Sequence, residues 1–144
     1  MRRIGRSFAL GLLTMLTAPS VQAIDHQDSA SATAAPAADI TDLFSWMSTD
    51  GSKVILALTV NPSATATSKF ATDSLYVFHT SSRAAVSSTS AVLTDIVCGF
   101  DDSQRISCVV GDAATAISGD ASVAAGITSS NGKARVFAGL RKDP

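Results

Sequence analysis

The run Lys53-Val54-Ile55-Leu56-Ala57-Leu58-Thr59-Val60 constrains this chain more than any other stretch. It is β-branched and almost continuously apolar, the pattern of a strand buried on both faces. Thr49-Asp50-Gly51-Ser52 precedes it and Asn61-Pro62 ends it. The first is a turn, because glycine takes positive φ without steric cost; the second is a stop. Upstream, Phe44-Ser45-Trp46 alternates as a strand does, so residues 44–60 read as a hairpin around the Asp50-Gly51 turn.

The remainder repeats this theme. Ser74-Leu75-Tyr76-Val77-Phe78-His79 is a strand with Leu75, Val77 and His79 on one face and Tyr76 and Phe78 on the other. Residues 91–98 and 105–110 pair around Gly99-Phe100-Asp101-Asp102-Ser103-Gln104. Gly111-Asp112, Gly119-Asp120 and Asn131-Gly132 are turn signals separating short apolar pieces at Ile117, 123–127 and 134–140. Long amphipathic helices are absent, although the alanines of 112–127 leave room for one short helix. The expected fold is mainly β, with antiparallel sheets in a sandwich-like arrangement. Large apolar side chains are few for so much loop, and a strand-like segment runs to the last residues. Both features suggest a domain incomplete at its C-terminus.

Met1-Arg2-Arg3-Ile4-Gly5-Arg6 is followed by an apolar run from Phe8 to Leu16 and then by Val21-Gln22-Ala23. Basic, apolar and small-residue regions in that order define a signal peptide cut after Ala23. The apolar run is too short for a membrane span. Residues 1–23 are therefore expected to be removed, 24–38 to form an N-terminal arm, and 39–144 the β domain. The expected location is periplasmic or extracellular. Residues 29–38 are small and broken by Pro36, and read as a covering segment or flexible arm. Beyond the signal peptide, eight Lys and Arg face twelve aspartates, a balance of −4, and glutamate is absent. Without clustered bases there is no footprint for a phosphate backbone, so nucleic-acid binding is not expected. No second apolar 20-residue stretch exists, so no transmembrane segment is expected in the mature chain.

Cys98 and Cys108 are the only cysteines. In an oxidising compartment, on facing strands, they suit a disulfide; two buried thiols are the alternative. Asp25, His26, Asp28, Asp39 and Asp42 form the one concentration of ligand-type residues. Carboxylates alone suit calcium, and a histidine among them shifts the preference towards zinc. The same aspartates also suit plainer roles, Asp39 or Asp42 capping a helical turn and the others carrying surface charge. Asp101-Asp102-Ser103 lacks calcium-loop spacing and reads as a turn. His79 reads as an exposed or hydrogen-bonded strand histidine. No nucleophile elbow, phosphate loop or dinucleotide fingerprint is present.

Taken together, Asp25-His26-Gln27-Asp28, Ala38-Asp39-Ile40-Thr41-Asp42-Leu43-Phe44-Ser45-Trp46, the Thr49-Asp50-Gly51-Ser52-Lys53 entry to a strand ending Asn61-Pro62, Asp73-Ser74-Leu75-Tyr76, and Ala138-Gly139-Leu140-Arg141-Lys142-Asp143-Pro144 resemble the bacterial family known as domain of unknown function 4331. The resemblance implies a secreted protein and the first part of a longer family domain. It transfers no catalytic residue. Ser45-Trp46 departs from the tyrosine followed by alanine or serine that is common in that family.

The expectation is an exported, non-catalytic β domain that binds an extracytoplasmic protein or ligand or plays a structural part. The alternative is a metal-dependent hydrolase in which His26 and neighbouring aspartates hold a divalent ion that activates water.

Overall fold

A computed structural model describes residues 29–111 and 115–140 of the 144-residue chain. The architecture is mainly β, with three antiparallel sheets: a two-stranded ribbon, a four-stranded meander and a small two-stranded sheet. The expected signal peptide and Asp25, His26 and Asp28 lie outside the described residues, as do Arg141 to Pro144.

The low-complexity arm folds more than its composition suggests. It forms a short helix, α1 (Ala30–Ala34), then a single 3₁₀ turn, Pro36–Ala38. Ser29 supplies what the alanines lack: its Oγ accepts the Ala32 N–H at 3.1 Å and caps the helix N-terminus. Proline opens the 3₁₀ turn, where a missing N–H costs nothing. Asp39 closes that turn with extended backbone and does not start a helix, so the N-cap role expected of it is not taken up.

Strands β1 (Ile40–Met47) and β2 (Val54–Val60) form the expected hairpin. Gly51, at φ 68°, turns the chain, and Asp50 holds the loop in place. Asp50 Oδ1 accepts from Ser48 Oγ at 2.6 Å and from the Ser52 N–H at 3.1 Å, while Oδ2 accepts from Ser52 Oγ at 2.8 Å. The pairing slips between Ile40 and Asp42, leaving Thr41 as a bulge residue.

The meander contains β3 (Tyr76–Ser82), β4 (Val92–Phe100), β5 (Ile106–Val110) and β6 (Thr115–Gly119), hydrogen-bonded in that order. Residues 115–119 are thus strand, with no helix in that part of the described chain. β7 (Ile127–Thr128) and β8 (Arg135–Val136) are far shorter than the apolar pieces that announced them. The β4–β5 turn is tight. Asp101 Oδ1 accepts the N–H groups of Ser103 and Arg105 at 2.9 Å each, and Gln104 takes the left-handed conformation at φ 61°.

One face of the meander carries the core: Tyr76, Cys98, Phe100, Ile106, Cys108, Ile117 and Ala121, with Phe70, Leu58 and Val60 packed against it. Phe70 stacks on Phe100 with centroids 4.2 Å apart, and Tyr76 meets both rings edge-on at 5.9 and 5.7 Å. Each such contact adds about 0.5–1.5 kcal/mol beyond area burial. Cys98 and Cys108 stand directly opposite and form the disulfide, with Cα atoms 4.1 Å apart. The Asp101 N–H to Arg105 carbonyl bond fixes the alternation of the ladder. It places Cys98 and Cys108 at a non-hydrogen-bonded position, where opposing side chains are closest.

Candidate binding surface

The β1–β2 ribbon does not hide its apolar residues. Leu43, Phe44, Trp46, Met47 and Val54 are each 50–65% exposed. Antiparallel register sorts them onto two faces: Phe44 and Trp46 lie with Ala57 and Ile55, and Leu43 and Met47 lie with Leu58 and Val54. Leu58 and Val60 at the base touch the core cluster, which anchors one end of β2. The rest projects. A strand expected to be buried on both faces therefore sits in a two-stranded ribbon, half-buried only at 56–58 and Val60. This corrects the central-strand reading: among the described residues, no third strand pairs with the ribbon.

The polar residues that drew attention in the sequence are dispersed. His79 Nδ1 lies 2.9 Å from Asp95 Oδ1 across β3–β4, with both side chains largely exposed. Asp42 is exposed on β1, its Oδ2 accepting from Thr59 Oγ1 at 3.3 Å. Asp39 is partly buried, and its Oδ2 has no hydrogen-bond partner among the described residues. Asp25, His26 and Asp28 lie outside the described residues, so of the five-residue set only Asp39 and Asp42 are placed. Among the described residues no three His, Cys, Asp or Glu side chains are grouped to hold a metal ion.

An open depression of about 370 Å³ lies over the β4–β5 turn, lined by Asp73, Ser74, Leu75, Asp101, Arg105 and Ser107 among others. It contains no histidine or cysteine. Asp101 there is committed to its turn.

Away from the ribbon, three polar side chains tie distant segments together through contacts the sequence does not show. Tyr76 Oη donates to the Ala37 carbonyl at 2.7 Å and accepts the Ala71 N–H at 2.9 Å. Burial, partly offset by the Ala71 hydrogen bond, raises the Tyr76 pKa above 10.0. Gln104 accepts the Phe70 N–H at 2.7 Å and returns its amide to the Phe70 carbonyl at 3.2 Å, as a neighbouring strand would. Asn131 bridges to Thr115 Oγ1 at 2.9 Å and ties the β7–β8 hairpin to β6. The strand, turn and family motifs that hold Tyr76 and Asn131 announce none of these contacts. Each side chain acts through partners 5 to 39 residues away.

Fold and surface together define a mainly β, multi-sheet antiparallel domain with a two-faced apolar ribbon. No helix among the described residues is long and apolar enough to cross a membrane. Comparison with protein-family models, curated proteins and solved structures finds no match.

Proposed function

We propose that this chain is an exported, non-catalytic β domain that binds a partner, or joins an assembly, through the β1–β2 ribbon. One observation carries the reading: large apolar side chains stand exposed on both faces of the ribbon, from Leu43 to Met47 and at Val54 and Ile55. Contiguous exposed apolar surface of this kind marks interaction sites, and an isolated two-stranded ribbon is marginal in water. The turn that closes it is nonetheless held by the Asp50 carboxylate and a positive-φ glycine. A stiffly closed ribbon with uncovered faces is built to be covered.

The resemblance to the domain of unknown function 4331 belongs to the same reading, and rests on the motifs quoted above. So does export, which rests on residues 1–23. Nothing among the described residues favours a metal-dependent hydrolase.

The test is photo-crosslinking in the cells that make the protein, with p-benzoylphenylalanine in place of Trp46 and, as a control, in place of the exposed loop residue Ser63. The expected result is an adduct from position 46 and none from 63. No adduct from 46, or equal adducts from both, would remove the ribbon as a docking surface.

A further inference from the structure

We propose that the occupant of the ribbon is a second copy of this chain, paired through β1 in an antiparallel arrangement centred on Ser45. The pairing takes the ribbon's β1 edge and leaves its two faces free, and it rests on the reading of the ribbon as an interaction surface.

The free edge is the starting point. The Ser48 N–H donates to the Lys53 carbonyl at 2.8 Å, which makes that pair hydrogen-bonded and sets the alternation along the ribbon. Pairs 47/54, 45/56 and 43/58 are then non-hydrogen-bonded, so the N–H and C=O groups of Leu43, Ser45 and Met47 point away from β2. Nothing among the described residues pairs with that edge. The outer edge of β2 is also unpaired among the described residues, but Leu58 and Val60 tie that strand to the core.

Natural edge strands are guarded by charge, proline, bulges or covering chain. Between Leu43 and Met47 β1 has no charge, no proline and no glycine, and its one bulge lies upstream at Thr41. Such an edge invites strand addition.

The sequence of β1 fits itself. Placed on a two-fold axis through Ser45, it sets Ser45 opposite Ser45, Phe44 opposite Trp46 and Leu43 opposite Met47 of the second copy. Aromatic therefore meets aromatic on one face, aliphatic meets aliphatic on the other, and the smallest side chain sits on the axis. Every outward-pointing residue meets another outward-pointing residue, so the backbone groups of 43, 45 and 47 are satisfied in one register. Charge is compatible with this register, because Asp42 faces Ser48. The contact is isologous and closes on itself, so it ends at a dimer and does not run into a fibre. The two Phe44–Trp46–Ile55 faces become one continuous four-stranded surface.

The experiment is sedimentation equilibrium of the exported protein across micromolar to millimolar concentrations, with Ser45→Lys, Ser45→Asp and an equimolar mixture of the two. Ser45 is exposed and its backbone bonds do not close the hairpin, so both variants keep the fold; circular dichroism and an intact Cys98–Cys108 bond check this. The expected result is a wild-type dimer, a dissociation constant raised at least about tenfold in each variant by like charges on the axis, and recovery in the mixture. Wild-type protein monomeric throughout, or variants not rescued by mixing, would overturn the proposal. The crosslink at position 46 separates the two levels. An adduct of twice the chain mass supports the dimer. An adduct of another mass keeps the ribbon as a docking surface but overturns the second copy. No adduct removes both.

Discussion

Replacing Tyr76 by phenylalanine isolates one oxygen atom that holds three segments together. Its hydroxyl joins the 3₁₀ turn at Ala37, the loop at Ala71 and the start of β3. The ring stays in place edge-on to Phe70 and Phe100, so packing is retained and only the two hydrogen bonds are lost. Each is worth about 0.5–1.5 kcal/mol net, and the stranded Ala71 N–H and Ala37 carbonyl are half-buried or exposed, so water recovers part of the loss. The expected cost is about 2 kcal/mol, which moves the urea midpoint down by roughly 1–2 M for an m-value of about 1–2 kcal/mol/M. Native-state hydrogen exchange should quicken across residues 30–39, whose tether is cut, more than in β4 and β5.

The same bond predicts a pH signature. Burial raises the Tyr76 pKa above 10.0, so the neutral phenol is the form the fold favours. A raised folded-state pKa gives a contribution fully present below the unfolded value and lost as pH rises through the folded one. Wild-type stability should therefore fall above pH 10 by more than that of Tyr76→Phe, and the two curves should converge. An unchanged urea midpoint in the variant, or parallel curves through the alkaline range, would refute the reasoning.

Further outcomes follow from other contacts. The disulfide closes a loop of sequence separation 10, so replacing Cys98 and Cys108 together by alanine should cost about 2–3 kcal/mol, read from urea midpoints. Hydrogen bonds from Ser48 and Ser52 hold Asp50 at a pKa of about 2, below the ordinary 3.8. The turn should therefore be fully supported above pH 3.8 and lose that support as pH falls towards 2, followed by NMR of the Asp50 carboxyl and the Ser52 amide. Asp39→Asn removes the charge from a side chain whose buried oxygen has no hydrogen-bond partner among the described residues, and should raise stability by about 1 kcal/mol with or without EDTA. A chelator-dependent loss instead would place a cation at Asp39.

Local chemistry was legible in the sequence where it decided the structure alone. Gly51 needed only its own positive φ and Asp50 only its neighbours, so the hairpin turn stood where expected. The faces of β3 followed from alternation, and Tyr76 is buried while His79 is exposed. The disulfide followed from two facing strands and one turn. What depended on distant partners was hidden. The arm became helical because Ser29 caps it, and its following turn is held by Tyr76, 39 residues from Ala37. β7 and β8 shrank to two residues each, because the apolar pieces around them serve as cover for the meander instead: Ala134, Val136 and Ala138 pack on the core from irregular chain or strand ends.

The ribbon is the informative mismatch. Apolar periodicity reports how much burial a segment needs, not which chain provides it. Residues 54–60 have the composition of a central strand, yet they lie in a two-stranded ribbon with Val54 60% exposed. Trp46 and Phe44 opposite them are half exposed as well. Were the ribbon merely a solvent-facing hairpin, alternation of polar and apolar residues along β2 would have served it better, because one face would then be wet at no cost. Six of the seven residues of β2 are apolar, more than an alternating, one-sided strand calls for. This unmet burial among the described residues is what supports the proposal that the ribbon meets a partner. The pairing of β1 with β1 supplies an edge for that partner in the one register where backbone parity, side-chain size and charge agree.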